Sequence, residues 1–95
     1  MNLAILTGRV ASIHSYDRAT KFTIAIQGKD RDSAEFIDCV AFRHNKDFFD
    51  KYFIKGQPIE VTGSIHKSVH EGVYKTEVYC DRIEFRGAKW TPQAQ

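Results

Sequence analysis

The order of hydrophobic periodicities in this 95-residue chain predicts an all-β barrel with one short helix between its third and fourth strands. Three observations carry that expectation. Apolar residues recur at every second position in five separate segments, which is strand spacing. Only residues 45–53 change to helical spacing. The length allows one core and no more.

The first strand runs over residues 4–10, where Ala4, Leu6, Gly8 and Val10 alternate with Thr7 and Arg9. Gly8 inside it predicts a bulge or a close backbone approach. Leu3 and Ile5 fall on the parity opposite Leu6 and mark an edge for self-association. Residues 14–20 are polar and turn-like. In the second strand Phe22, Ile24 and Ile26 form the inner row, and a charged turn, Lys29-Asp30-Arg31-Asp32-Ser33, follows Gly28. The third strand, residues 35–42, is apolar on both faces. Ile37, Cys39 and Ala41 are small enough for a crowded interior. Phe36 and Phe42, with Asp38 and Val40 between them, predict an exposed aromatic surface on the other side.

In the helical segment Phe48, Phe49, Tyr52 and Phe53 form one stripe, which packs on a core. Asn45 is the expected N-cap, Asp47 suits the first turn and Gly56 the C-terminal stop. Strand four follows Pro58 with Ile59, Val61, Gly63 and Ile65 inward, and residues 67–72 read as a hairpin loop. Strand five covers residues 73–85. Thr76, Val78 and Cys80 share one parity and Ile83 and Phe85 the other, so a bulge is expected near Asp81.

Five strands with a helix between the third and fourth is the plan of the oligonucleotide/oligosaccharide-binding (OB) fold, a five-stranded Greek-key barrel. Its strands two and three form the usual binding face, flanked by the loops between strands one and two and between four and five. Phe36 and Phe42 lie where a stacking platform belongs. The formal charge is only +2, with pI near 8.6, below the value of about 9 expected of a strongly basic nucleic-acid binder. Placement of charge therefore matters more than its sum. Cys39 and Cys80 stand in apolar runs without metal-ligand spacing, so two reduced core thiols are expected, with no disulfide, metal or cofactor. The chain has no apolar run of the roughly 20 residues that cross a bilayer and no export signal at its start, so a cytoplasmic location away from the membrane is expected.

At these residues the chain resembles the bacterial and phage single-stranded DNA-binding protein (SSB) family, over residues 1–86. The similar segments are Ile5-Leu6-Thr7-Gly8-Arg9, Phe36-Ile37-Asp38-Cys39-Val40-Ala41-Phe42, Lys51-Tyr52-Phe53-Ile54-Lys55-Gly56-Gln57, Val61-Thr62-Gly63-Ser64-Ile65 and Thr76-Glu77-Val78. Each is weak alone, and five in the right order are specific. The resemblance implies one binding domain over residues 1–86 and a short tail over 87–95. It implies sequence-tolerant binding of single-stranded DNA in replication, recombination and repair by a homo-oligomer, a tetramer or a dimer. Phe36 and Phe42 take the places of base-stacking aromatics, His70 falls where many members have a tryptophan, and Tyr74 matches an aromatic at the start of strand five. The basic residues nearest these surfaces are Arg9, Lys21, Lys29, Arg31, Arg43, Lys67 and Lys75; His66 and His70 are read either as added phosphate contacts at mildly acidic pH or as plain polar loop residues. Many members carry an acidic C-terminal tip, whereas no acidic residue follows Glu84 here, so recruitment of partners by that route is not expected. The tail's Trp90 is open to several roles.

Two other classes of function compete with this reading. An enzyme would need His14 with Asp17, His44 with Asp47 or Asp30 with Asp32, yet no third positioned group or nucleophile motif accompanies any of these pairs. An adaptor on the same barrel, similar to a dimeric primosomal replication protein, would bind single strands weakly and contact a helicase. RNA is the other possible strand.

Overall fold

A computed structural model describes residues 1–30 and 33–85. Five strands and one helix follow in the order β1 (Ala4–Ser15), β2 (Ala19–Gln27), β3 (Ala34–Phe42), α1 (Arg43–Tyr52), β4 (Pro58–His70) and β5 (Val73–Phe85). They close into a barrel with strand order β1-β2-β3-β5-β4, so the five-stranded plan with its single helix stands as expected. All pairings are antiparallel except β3 with β5. Arg31, the predicted tail and Trp90 lie outside the described residues.

Period-two alternation sorts the side chains. Val10, Phe22, Ile24, Cys39, Ala41, Ile59, Val61, Val78, Cys80 and Ile83 line one interior cluster. The end of the barrel is plugged by the aromatic stripe: Phe49 stacks on Phe22 with ring centroids 4.2 Å apart and on Phe53 at 5.2 Å. Phe48 and Tyr52 pack against the same cluster from its rim. The helix is thus held by its apolar face, as its spacing predicted.

Several local expectations are corrected. β1 continues to Ser15, so His14 is strand rather than turn, and the β1–β2 connection shrinks to three residues. Its bulge is not at Gly8 but at Ala11, skipped between the Val10–Ile24 and Ser12–Thr23 pairs. Gly8 marks a close approach instead, since a Cβ there would run into the Ala25 carbonyl. The helix starts at Arg43, with Phe42 in the cap position and no side-chain cap. Asn45 serves elsewhere: its Nδ2 donates to the carbonyls of Cys80 (3.1 Å) and Asp81 (3.3 Å). Gly56 does not end the helix, which stops at Tyr52; with φ +87° it sits in the following turn and donates its N–H to Val10 O. Residues 67–70 are not loop, because β4 pairs with β5 up to His70–Val73. Only Glu71 and Gly72 turn the chain, both with positive φ, the geometry of a two-residue hairpin whose twist matches its strands. The bulge at Asp81 is where it was expected, between the Thr62–Arg82 and Gly63–Cys80 pairs.

A polar knot ties the helix to the β1–β2 hairpin. Thr20, fully buried, donates through Oγ1 to Asp50 Oδ1 at 2.6 Å, and Lys46 pairs with Asp50 one turn earlier on α1. Ser15 Oγ adds a bond to Asp50 Oδ2 at 3.3 Å. Burial pushes the Asp50 carboxyl up, but the bonds from Lys46 and Thr20 outweigh it and hold the group below its ordinary 3.8. A depressed carboxyl favours the folded state at pH above that ordinary value and loses this contribution as pH falls through the folded one. Acid melts should therefore show the wild-type melting temperature falling as pH drops below about 4, with a shallower fall for Asp50→Asn, which lacks the titrating group. At neutral pH, Phe49→Ala should cost about 3–5 kcal/mol by urea denaturation, because it empties the plug of the barrel.

Candidate nucleic-acid interface

Outward residues of β1, β2, β3, β5 and the β4 arm form one continuous sheet face. Cross-strand register sets its rows. Ala25 pairs with both Arg9 and Phe36, so a small residue separates the guanidinium and the aromatic ring. Thr23 pairs with Ser12 and Asp38, and Lys21 with His14 and Val40. Val40 leads on to Tyr79 across the parallel seam. Phe36 is 63% exposed and Phe42 38%. A side chain of that size leaves apolar area in water without return unless something covers it. Val40, on the same outward parity, departs from the expected exposed surface: it is only 2% exposed, outside the main core cluster.

Two residues join this face that the sequence reading passed over. Tyr79 meets Phe42 edge-on at 5.2 Å and stacks on His66 at 4.1 Å, which makes an aromatic row of Phe42, Tyr79 and His66 across three strands. Glu77 is buried beside Lys21, its Oε2 lying 3.3 Å from Nζ. That oxygen makes no hydrogen bond, so charge alone holds the pair. Period two had already put Tyr79 and Glu77 opposite Val78 and Cys80. What it could not supply was the β3–β5 neighbour relation.

The sequence-predicted residues divide over the face and its margins. Arg9, Lys21, Phe36, Phe42, His66 and Lys75 share the outward surface. Arg9 also reaches back, donating through Nη1 to Gly56 O at 3.0 Å. Lys75 Nζ stands 3.7 Å from Asp38 Oδ2. Lys67 and Tyr74 lie on the other side of the β4–β5 hairpin, with the ammonium 5.5 Å from the Tyr74 ring centroid, a cation–π distance. This hairpin extends past the barrel: β1 accompanies β4 only from Arg9–Pro58 to Ala4–Gly63, and β3 meets β5 only at two residues. Ile65, Val69 and Tyr74 therefore stay exposed although they continue the inward row. Lys29 is exposed in the β2–β3 loop, and His70 is the last residue of β4. Arg43, at φ +53°, lines an open cleft of about 860 Å³ with Arg18, Phe42, His44 and Lys46. The cleft thus continues the aromatic face toward the start of α1.

Among the described residues no three His, Cys, Asp or Glu side chains come together in a way that could hold a metal ion, and no helix is long and apolar enough to cross a membrane. Cys39 and Cys80 are free and buried, as expected. A hydrogen bond between their side chains, then burial, push the Cys39 thiol far above its ordinary 9.0, so it stays protonated.

Comparison with known proteins gives this face its context. A single-stranded DNA-binding protein of Fusobacterium nucleatum is 32% identical over 94% of this chain and 69% of its own length. Single-stranded DNA-binding protein 1 of Staphylococcus aureus is 29% identical over 90% of the chain, which spans 60% of that relative. Among solved structures, the mitochondrial single-stranded DNA binding protein Rim1 of S. cerevisiae superposes with a TM-score of 0.75 over 88% of this chain and 92% of its own, at 19% identity, a likeness that speaks for the fold. The profile of the single-strand binding protein family matches residues 1–86, nine-tenths of the sequence and all of the barrel, and the chain belongs to that family.

Proposed function

We propose that this protein binds single-stranded DNA with little sequence preference, covering it during replication, recombination and repair in the cytoplasm. The observation that carries the proposal is the aromatic face: Phe36 stands exposed on the same surface as the row of Phe42, Tyr79 and His66, while the opposite parity of the same strands supplies the core. Every base has a π-face, so stacking is worth about 1–3 kcal/mol per base whatever the sequence. Duplex DNA keeps its bases stacked on one another and offers no such face to the protein. As a member of a binding family the chain is not an enzyme.

The phosphate contacts we assign to Arg9, Lys21, Lys75 and His66 on the face, to Lys29 and Arg31 in the β2–β3 loop, and to Arg43 beside Phe42. Lys67, His70 and Tyr74 on the projecting hairpin would let a strand continue from the sheet onto the arm. The domain we assign is residues 1–86, with 87–95 a tail outside it. Titration into a dye-labelled thymidine oligomer of a few tens of nucleotides, followed by anisotropy, should show single-strand binding well above binding to the matching duplex. It should also weaken as salt rises, because phosphate neutralisation releases counterions. Phe36→Ala and Tyr79→Ala should each weaken single-strand binding about 5- to 100-fold, as loss of one stacked base would. Equal, weak binding to single strand and duplex would refute the proposal.

The oligomer belongs to the same proposal. Along residues 4–8, β1 is paired with β4 on one side, and its pairing with β2 starts only at Arg9. Its outward Ile5, 62% exposed, and the preceding Leu3, at 54%, border that open edge. An unpaired strand edge flanked by apolar side chains is a template for a second copy. Light scattering should find a dimer or tetramer at micromolar concentration, and Ile5→Glu should shift it toward monomer with the thermal melt of the barrel retained. A strictly monomeric wild type would remove this part of the reading.

A further inference from the structure

The surface that carries Phe36 is not uniformly basic. Asp38 stands between Phe36 and Phe42 on β3, and Glu77 shares the outward row of β5 with Lys75 and Tyr79. Beyond the two pairs of the β3–β5 seam the two rows stay close: Asp38, Lys75 and Glu77 line one cavity. Two carboxylates therefore share the middle of the face, where charge of one sign is unfavourable unless answered. Each has a lysine as its counter-charge, Lys75 for Asp38 at 3.7 Å and Lys21 for Glu77 at 3.3 Å. Thr23 Oγ1 also donates to Asp38 Oδ1 at 3.3 Å, and accepts in turn from Ser12 Oγ at 2.9 Å. The Glu77 side chain is only 6% exposed, and a charge so far out of water needs a partner. These groups surround a cavity of about 240 Å³ that His14 and Tyr16 also line.

The two lysines nearest the aromatic face are thus counter-ions of the protein before any phosphate arrives. Together the four groups sum to zero charge. A phosphate must share a lysine with a carboxylate or displace it, and in either case it meets less positive potential than the cation count suggests. Resting on the single-stranded DNA reading, we infer that Asp38 and Glu77 are affinity-limiting residues: they compete with the phosphate backbone for Lys75 and Lys21 and lower both the strength and the salt sensitivity of binding. The strand is then held chiefly by stacking and remains easy to hand on.

Asp38→Asn and Glu77→Gln remove the charges while keeping the shapes, and each frees one lysine. The measurement is the anisotropy titration of the thymidine oligomer over a salt series, wild type and variants side by side. Asp38→Asn should bind about two- to fivefold tighter at low salt, the range an exposed ion pair commands, and Glu77→Gln, which frees Lys21 from a buried carboxylate, at least as much. The log–log salt slope should steepen by up to about 0.7 per freed lysine. Lys75→Met should then cost more affinity in the Asp38→Asn background than in the wild type. Unchanged or weaker binding with an unchanged slope overturns the inference, as does a gain in affinity without a change in slope. Thermal melts accompany each variant; should Glu77→Gln fail to fold, the half-exposed Asp38→Asn decides alone. A wild type that does not bind the oligomer sinks the single-stranded DNA reading itself, whereas a binding wild type with indistinguishable variants sinks only this inference.

Discussion

The barrel closes through two residue pairs, Cys39–Val78 and Val40–Tyr79, and both its core and its outer face depend on that seam. Every other neighbouring pair of strands is joined by six or more register pairs. Among the described residues the seam is also the only parallel pairing, and it joins residues 39 positions apart, so chain entropy opposes it more than it opposes any hairpin. What makes it worthwhile is burial on both sides of the sheet at once. Inside, Cys39 and Val78 enter the core; outside, Val40 is taken out of water at the same step. The seam is also what brings β5's outward row alongside β3's, and so makes Tyr79 a neighbour of Phe42 and sets Glu77 on the same cavity as Asp38.

The interior explains why β3 carries small residues inward and large ones outward. Phe22, Phe49 and Phe53 already fill one end of the barrel with stacked rings. Cys39 and Ala41, both fully buried, occupy the little volume left opposite them. Aromatics on β3 consequently have no room inside, and Phe36 and Phe42 stand on the surface. Cys39 is kept as an inert thiol by its bond to Cys80 and by its burial, and so acts as a small apolar group.

What could be read in the sequence follows the range of the forces involved. The Phe48, Phe49, Tyr52 and Phe53 stripe, the parity switch at Asp81 and the two faces of β3 are all local patterns imposed by one buried side, and each appears in the structure. The far half of the β4–β5 hairpin has the sequence of a loop because neither of its faces is buried. Lys67, Ser68 and Val69 show no hydrophobic alternation, and pairing with β5 alone keeps them extended. His14 and Ser15 hid for a similar reason: His14 is exposed, and Ser15 has polar partners, Thr20 and Asp50, in place of apolar burial. Asn45 looked like a cap, yet its amide is drawn to the Cys80 and Asp81 carbonyls at the bulge, 35 and 36 positions away. Tyr79 and Glu77 were legible in direction but not in company, because the seam that gives them neighbours is non-local.

The charge of the proposed face bears on how a weakly basic chain can hold a polyanion. Fourteen lysines and arginines stand against twelve acidic residues over the whole sequence, and the centre of the face repeats that balance in miniature. Lys21 answers Glu77 and Lys75 answers Asp38, while Phe36, Phe42, Tyr79 and His66 present flat rings on the same face. Attraction by net charge acts over roughly a Debye length, about 8 Å at physiological salt, and draws duplex and single strand alike. Stacking acts only at contact and only on bases that have left their partners. A face whose centre is electrically balanced and whose rings are exposed therefore distinguishes single strands from duplex better than a more basic one would. On the proposed reading, cations at the margins such as Lys29 and Arg43 would guide the backbone without deciding which form of DNA is held.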